Sequence, residues 1–220
     1  MLKDVFTRQP LAIFGGTFDP VHYGHLRCAD DARRQLGLKT LYLLPSGSPP
    51  HRVTPVATSQ QRLEMLKLAV PGYPGLEIDE RELHRDGPSY MVDTLQSLRS
   101  EFPDRPLLML IGQDVANHLH RWHRWQDLFG LTHIVIMTRP GGRAEYDVKM
   151  AAQVQRRSKP DLQELSRSNA GTVVALEVPA IDVSATTVKR LIDQQRPTKT
   201  FLPLTVREYI QTHHLYGAAD

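Results

Sequence analysis

The chain has 220 residues, about half as long again as an ordinary domain of ~150 residues, so one domain with an elaboration fits it better than two. With 40% hydrophobic and 23% charged residues it matches the soluble globular average, which excludes disordered, collagen-like and disulfide-stapled chains. Lys and Arg number 27 against 24 Asp and Glu, with ten His: the balance suits an anionic ligand but is too slight to mark a nucleic-acid surface.

The single cysteine, Cys28, has no intrachain partner, so nothing calls for an oxidising compartment and the cytoplasm is expected. The opening Met-Leu-Lys-Asp-Val-Phe has no apolar stretch of signal-peptide length. The apolar runs, such as residues 107–111, fall far below the ~18 residues of a membrane span, and none is expected.

In chain order, short runs of Leu, Ile and Val alternate with stretches of helical period, the pattern of βαβ units feeding a parallel sheet. Strands are predicted over residues 11–14, 40–44, 76–78, 107–111, 133–137 and 172–178, and helices over 23–36, 60–69, 90–99 and 114–119. Thr58, with Gln61 three residues later, forms a capping box for the second helix. A Pro-rich loop at 45–55 and a Gly/Arg-rich loop at 139–143 read equally as lids or as solvated connections. Residues 151–170, polar and mixed in charge, read as a solvent-facing helix. Ser184 and Thr186 then precede the apolar-periodic Val188, Leu191 and Ile192 and open another helix. The expected fold is α/β: a doubly wound, Rossmann-like, mostly parallel sheet with helices on both faces and a small C-terminal helical part. Residues 1–220 form one unit, about 1–180 its sheet core. Ligands bind such a sheet beyond the carboxyl ends of its strands, where strand order reverses.

The first predicted strand runs into Gly15-Gly16-Thr17-Phe18-Asp19-Pro20-Val21-His22-Tyr23-Gly24-His25. Two glycines let the backbone turn sharply and approach a ligand. A helix beginning near His22 aims its first N–H groups and positive dipole end at an anion. His22 and His25, three residues apart, share one face of the first turn, where both rings can donate to one triphosphate. No Lys-Ser/Thr follows the glycines and G-x-G-x-x-G is not matched, which disfavours a Walker loop and a dinucleotide fingerprint. The plain alternative is that one histidine caps the helix and the other packs.

His22-Tyr23-Gly24-His25 resembles the H-x-G-H signature of the nucleotidyltransferase superfamily. The longer stretch from Gly15 resembles the bacterial nicotinate mononucleotide adenylyltransferases more narrowly. Further segments resemble that family in order, from Leu11 to Tyr216. They are Pro49-Pro50-His51-Arg52, Ser89-Tyr90 with Asp93-Thr94-Leu95, Ile111-Gly112-Gln113-Asp114 with Trp122 and Trp125, Val183-Ser184-Ala185-Thr186, and Val206 to Tyr216.

The resemblance implies transfer of AMP from ATP to nicotinate mononucleotide, with both substrates as small-molecule partners. It implies phosphate handling by His22, His25, Ser184, Thr186 and one of Lys189 or Arg190, where the family carries an arginine at position 189. It assigns Gly15, Gly16, Thr17, Phe18, Gly112, Asp114 and Arg139 to ATP as well. Asp19, His51, Arg52, Tyr90, Met91, Trp122 and His123 are assigned to the mononucleotide, with Trp122 stacking on the pyridinium ring; Trp125, three positions later and before Leu128, reads from its position as core. Met91 stands where the family often has Thr, so only its backbone N–H is offered. Residues 181–220 complete the phosphate site. Mg²⁺ is expected as the cofactor, held by ATP phosphates and water with no dedicated protein ligands. Capping alone accounts equally for Ser184 and Asp114, and solvation for Arg52 and Arg139. Another phosphorylated acceptor, or a noncatalytic nucleotide sensor, stays open as an alternative function, and nothing in the sequence favours monomer over homo-oligomer.

Overall fold

The computed structural model describes residues 6, 9–48, 55–141 and 144–218. Six strands form one sheet: β1 (Leu11–Gly16), β2 (Leu41–Pro45), β3 (Leu76–Ile78), β4 (Leu107–Gly112), β5 (His133–Thr138) and β6 (Val173–Glu177). Their order is β3-β2-β1-β4-β5-β6 and every neighbouring pair is parallel, so the sheet is parallel throughout rather than mostly. The chain steps outward from β1 through β2 to β3, then returns to β4 on the other side of β1. The switch point lies between the carboxyl ends of β1 and β4, where Phe14 pairs with Leu110.

The helices are α1 (Tyr23–Gln35), α2 (Ser59–Ala69), α3 (Met91–Glu101), α4 (Gln113–Asn117), α5 (Leu128–Leu131), α6 (Val148–Arg157), α7 (Ala185–Asp193) and α8 (Leu204–Thr212). The capping box of α2 forms: Thr58 Oγ1 accepts from the Gln61 N–H at 3.2 Å and Gln61 Oε1 from the Thr58 N–H at 2.9 Å. None of the described helices is long and apolar enough to cross a membrane.

Side chains alternate across each strand, so a strand covered on both faces reads as an unbroken apolar run. In β4, Leu108 and Leu110 enter one layer with Leu26 and Ala29 of α1, Leu66 of α2, Val188 of α7 and Val206 of α8. Leu107, Met109 and Ile111 enter the opposite layer with Val92, Leu95 and Leu98 of α3, Leu128 of α5 and Met150 of α6. The ligand-facing edge therefore receives loops from two separately packed faces.

The expected helix over 151–170 is two elements. α6 ends at Arg157, and after Pro160 a 3-10 turn covers Leu162–Ser166. Proline lacks the N–H and clashes with the preceding turn, so no helix continues through it. The segment is also not wholly solvent-facing, since Leu165 is fully buried. The helix predicted over 114–119 closes early at Asn117 and gives way to a 3-10 turn at Leu119–Arg121.

Candidate active site

β1 ends in Gly15 and Gly16 beside Leu44 and Pro45 of β2. A methyl on Gly15 would stand 3.0 Å from Met91 Cε, and one on Gly16 2.9 Å from the Phe18 ring. Glycine thus allows Met91, from the opposite sheet face, to close over the strand end. Phe18 has φ of 52° and is buried, with its ring edge-on to His25 at 5.1 Å. Its side chain belongs to the core, and only its backbone is left to a ligand.

His22 caps α1 in an extended conformation, and its ring stacks on that of His25 with centroids 3.7 Å apart and planes 18° apart. The His22 N–H donates to His25 Nδ1 at 3.4 Å, which assigns the His25 proton to Nε2. Burial, and then the positive charge of Arg139, push His22 down to about 4, so this ring is neutral at pH 7. Its Nδ1 is buried without a hydrogen-bond partner among the described residues. A methyl on Gly24 would stand 2.8 Å from Val183 Cγ1 and 2.9 Å from His22 Nδ1, so the position between the histidines excludes any side chain. The Tyr23 N–H, expected to point at an anion, instead donates to the Phe201 carbonyl at 2.9 Å. A helix-start N–H enclosed by protein needs such a partner.

Asp19 is buried and accepts four hydrogen bonds. Oδ1 takes the Tyr216 hydroxyl at 2.7 Å and the Ala57 N–H at 3.1 Å. Oδ2 takes Lys189 Nζ at 2.9 Å and the Val56 N–H at 3.1 Å. Burial alone would raise this carboxyl, but Lys189, Tyr216 and the two N–H groups together hold it below the ordinary carboxylate range. The resemblance sends Asp19 to the mononucleotide and one of Lys189 or Arg190 to phosphate; the structure pairs Lys189 with Asp19, because a carboxylate this enclosed needs its charge matched.

Arg62, absent from the sequence-based candidates, lies beneath the same loops, 1% exposed. It donates to the Thr17 carbonyl at 2.7 Å and the Gly47 carbonyl at 3.1 Å, tying the loop after β1 to the loop after β2. Its signal was legible: Arg62 is in helical register with Met65, Leu66 and Ala69, all buried, and a guanidinium on an apolar stripe is there to meet polar groups.

Ser184 caps α7: its Oγ accepts from the Thr187 N–H at 3.1 Å and lies 3.0 Å from Thr187 Oγ1. Ser184 and Thr186 are exposed at this helix start, Arg190 is exposed in the last turn of α7, and Arg139 is exposed beyond β5.

On the other sheet face, Tyr90 caps α3 and its ring lies 4.3 Å from that of His123. Tyr90, Met91 and Trp122 rest half-buried on the same apolar layer. Trp125 meets Phe129 edge-on at 5.9 Å and, like Trp122, is half-buried on that layer rather than enclosed in the core. Asp114 is exposed at the start of α4, and its carboxylate folds toward Gly112, where a methyl would come 2.5 Å from Oδ1. No side chain caps that helix. His51 and Arg52 lie outside the described residues. Among those described, no group of three or more His, Cys, Asp or Glu converges on a point where a metal ion could sit.

Paired imidazoles behind a glycine turn, at the switch point of a doubly wound sheet, mark a nucleotidyltransferase-type α/β protein. Residues 13–191 match the cytidylyltransferase-like family. A probable nicotinate-nucleotide adenylyltransferase of Aeromonas salmonicida (strain A449) is 43% identical over 211 residues, covering 96% of this chain and 99% of its own. One of Methylococcus capsulatus is 44% identical over 208 residues, covering 94% and 99%. By these matches the chain belongs to the nicotinate-nucleotide adenylyltransferases within that wider family. Among solved structures, Plasmodium falciparum nicotinic acid mononucleotide adenylyltransferase complexed with NaAD aligns with a TM-score of 0.75 and 14% identity over 96% of this chain and 99% of that one. At such identity the likeness speaks for the fold alone.

Proposed function

We propose that the protein transfers AMP from ATP to nicotinate mononucleotide, forming nicotinate adenine dinucleotide and pyrophosphate. The observation that carries this reading is the packing of Met91 over Gly15. It sets the start of α3, whose Tyr90 ring meets that of His123, beside the histidine turn, so that two nucleotides, one on each sheet face, meet over the end of β1.

The nucleophile is the acceptor's own phosphate. With a second pKa of ~6 it is largely dianionic at pH 7, and no strong general base is needed. One of its oxygens forms a bond to the α-phosphorus of ATP while the bond from that phosphorus to the bridging oxygen breaks, and pyrophosphate leaves with the electron pair. What the protein supplies is positioning and electrostatic stabilisation. His25 offers its Nε2–H to the triphosphate, and His22 adds a neutral ring with one N–H. Ser184 and Thr186 meet the outer phosphates at the start of α7, which the Lys189–Asp19 pair holds against the turn, and Arg190 adds positive charge from further along that helix. Gly112 lets adenosine lie on the backbone, Asp114 accepts from a ribose hydroxyl, and Arg139 adds positive charge on the ATP side. On the acceptor side, Trp122 stacks on the pyridinium ring, the Met91 N–H meets the nicotinate carboxylate, and His51 and Arg52 meet the mononucleotide phosphate. ATP enters as its magnesium complex, the ion screening the phosphates; Asp19, the carboxylate within the histidine turn, is already taken by four protein donors.

The test is to incubate purified protein with ATP and Mg²⁺ and either nicotinate or nicotinamide mononucleotide, identifying products by mass. The expected product is a dinucleotide formed chiefly from the acid. ATP binding with no dinucleotide from either acceptor would overturn the reading in favour of another acceptor or a sensor.

A further inference from the structure

We propose that Arg62 is a positioning residue for the transfer step: its guanidinium is a strut between the histidine turn and the loop after β2, and it sets the distance across which the two nucleotides meet. This rests on the reading just given, and it concerns a buried charge to which that reading gives no contact with either nucleotide.

Two parallel strands lose their ladder where their chains diverge. Between β1 and β2 the Ser46 N–H still donates to the Gly16 carbonyl at 3.0 Å. Just beyond, the Thr17 and Gly47 carbonyls both turn to Arg62, one on Nη1 at 2.7 Å and the other on Nη2 at 3.1 Å. A planar fork with two diverging N–H directions continues a tie that the backbones no longer make.

Each end of the strut is itself held. The Thr17 carbonyl belongs to the peptide that enters Phe18, whose φ of 52° is a conformation an L-residue adopts only at a cost. The bond from Arg62 opposes the turning of that peptide, and Asp19, next in the chain, is fixed by its four donors. At the other end the Gly47 N–H donates to Ser89 Oγ at 3.0 Å, and Ser89 leads into Tyr90, the cap of α3 and the ring neighbour of His123. A methyl on Gly47 would collide with the Glu82 carbonyl oxygen, so the chain is pressed close there too. The run from Thr17 through Arg62 and Gly47 to Ser89 thus joins the triphosphate side to the acceptor side by hydrogen bonds alone.

Stability does not account for this arrangement. Arg62 is 1% exposed, its Nε is buried with no acceptor among the described residues, and both of its partners are neutral carbonyls. Taking a guanidinium out of water for two neutral acceptors is a poor exchange, which an apolar side chain of similar length would avoid. A charge set on an apolar helix stripe against that rule belongs to a site.

The test is steady-state kinetics with both substrates varied, on Arg62→Lys and Arg62→Met, with calorimetric titration of each nucleotide alone and thermal unfolding of each variant. Lysine keeps the charge but offers one nitrogen in place of two; methionine keeps only an apolar stem. Arg62→Lys should lower kcat about tenfold and Arg62→Met about 10²-fold, the loss that follows an ångström-scale misplacement. KM and Kd for ATP and for nicotinate mononucleotide should stay within about twofold in both. A residue that served only the fold would lower Tm and leave the kcat of the folded enzyme unchanged. Should Arg62→Met fail to fold, Arg62→Lys alone decides the question. Wild-type kcat in Arg62→Lys would show that no fork is needed, and a loss carried by the Kd of either nucleotide would make Arg62 part of that nucleotide's binding; either result would overturn the proposal. A wild-type protein that makes no dinucleotide overturns the functional reading itself, whereas an active wild type with unmoved variants removes only the role of Arg62.

Discussion

The two halves of the site are built in opposite ways. The histidine half comes from one contiguous stretch, strand end, turn and first helical turn. The buried charge beneath that stretch is fully paired, but by residues from elsewhere in the chain: Asp19 takes four donors, Lys189 and Tyr216 among them, and Arg62 spans two loop carbonyls. The acceptor half draws on the loop after β2, the start of α3 and the turns after α4, and is joined by long-range contacts such as Ser89 to Gly47 and Tyr90 to His123. A half made of contiguous chain inherits its geometry from strand and helix. A half made of distant segments depends on individual side-chain bonds, so single substitutions there should move substrate affinity more than chemistry.

The largest expected effect is in the histidine half. His25→Ala should lower kcat by about 10²–10³-fold, the cost of losing one preorganised donor at a developing charge, with Tm lowered by no more than a few degrees because the ring is only half-buried. Turnover at the wild-type level in a folded variant would remove the turn from the chemistry and dissolve the division between the halves.

Acid should separate the halves by sign. His22 titrates near 6.5 unfolded and about 4 in the fold, so between those values the unfolded chain binds the proton more readily. Its contribution is complete above pH ~6.5 and lost as pH falls toward ~4, on the order of 3 kcal/mol in all. His133 shifts in the same direction through burial, its Nε2 bonded to the Ser168 carbonyl at 2.8 Å and its Nδ1 accepting from the Thr172 N–H at 3.1 Å. Glu82 works oppositely: burial raises its carboxyl despite the Thr94 bond and Arg85, so the fold takes up that proton more readily and acid relieves its desolvation. Denaturant midpoints between pH 7.5 and 4.5 should fall in the wild type and fall less in a His22→Asn variant; equal slopes would mean that His22 is not neutral in the fold.

The same contrast governs what the sequence made legible. Unbroken apolar runs such as 107–111 announce strands buried on both faces, and all six strands lie within one or two residues of their predicted bounds. The histidine turn is visible because its residues are adjacent. The partners of Asp19 are not: Tyr216 lies 197 residues away and Lys189 170, and no local pattern tells a buried carboxylate to expect a tyrosine hydroxyl from the end of the chain. The bond from Thr94 to Glu82 and those from the loop after β2 to Ser89 escape for the same reason, since partners drawn from separate segments become readable only once those segments share one place. The helix boundary before Pro160, by contrast, was present in the sequence as the one residue type that cannot continue a helix.

Tyr216→Phe probes how far the histidine half depends on the distant residues that close its buried charge. The ring would remain, with Lys189 Nζ still 5.9 Å from its centroid, and only the hydroxyl donated to Asp19 would go. A hydrogen bond to a buried charge contributes about 1.5–3 kcal/mol, so denaturant stability should drop by about that amount. KM for both substrates should change together and modestly, because the clasp holds α7 and the turn as one body. An unchanged stability would show that Lys189 and the two backbone donors already satisfy Asp19 and that the chain end is dispensable.

The smallest and most selective effect belongs to the acceptor half. Trp122 is half-buried, on the layer it shares with Tyr90 and Met91, so truncation to Ala removes a flat face without opening the centre of the core. Stacking on a cationic ring is worth about 1–2 kcal/mol, which predicts a rise of roughly tenfold in the mononucleotide KM. KM for ATP should stay within about twofold, and kcat should fall little, since the loss is one of binding rather than of transition-state stabilisation. Equal rises in the two Michaelis constants would place the indole at the boundary between the nucleotides instead of under the acceptor. A fall confined to kcat would make it part of the alignment over β1.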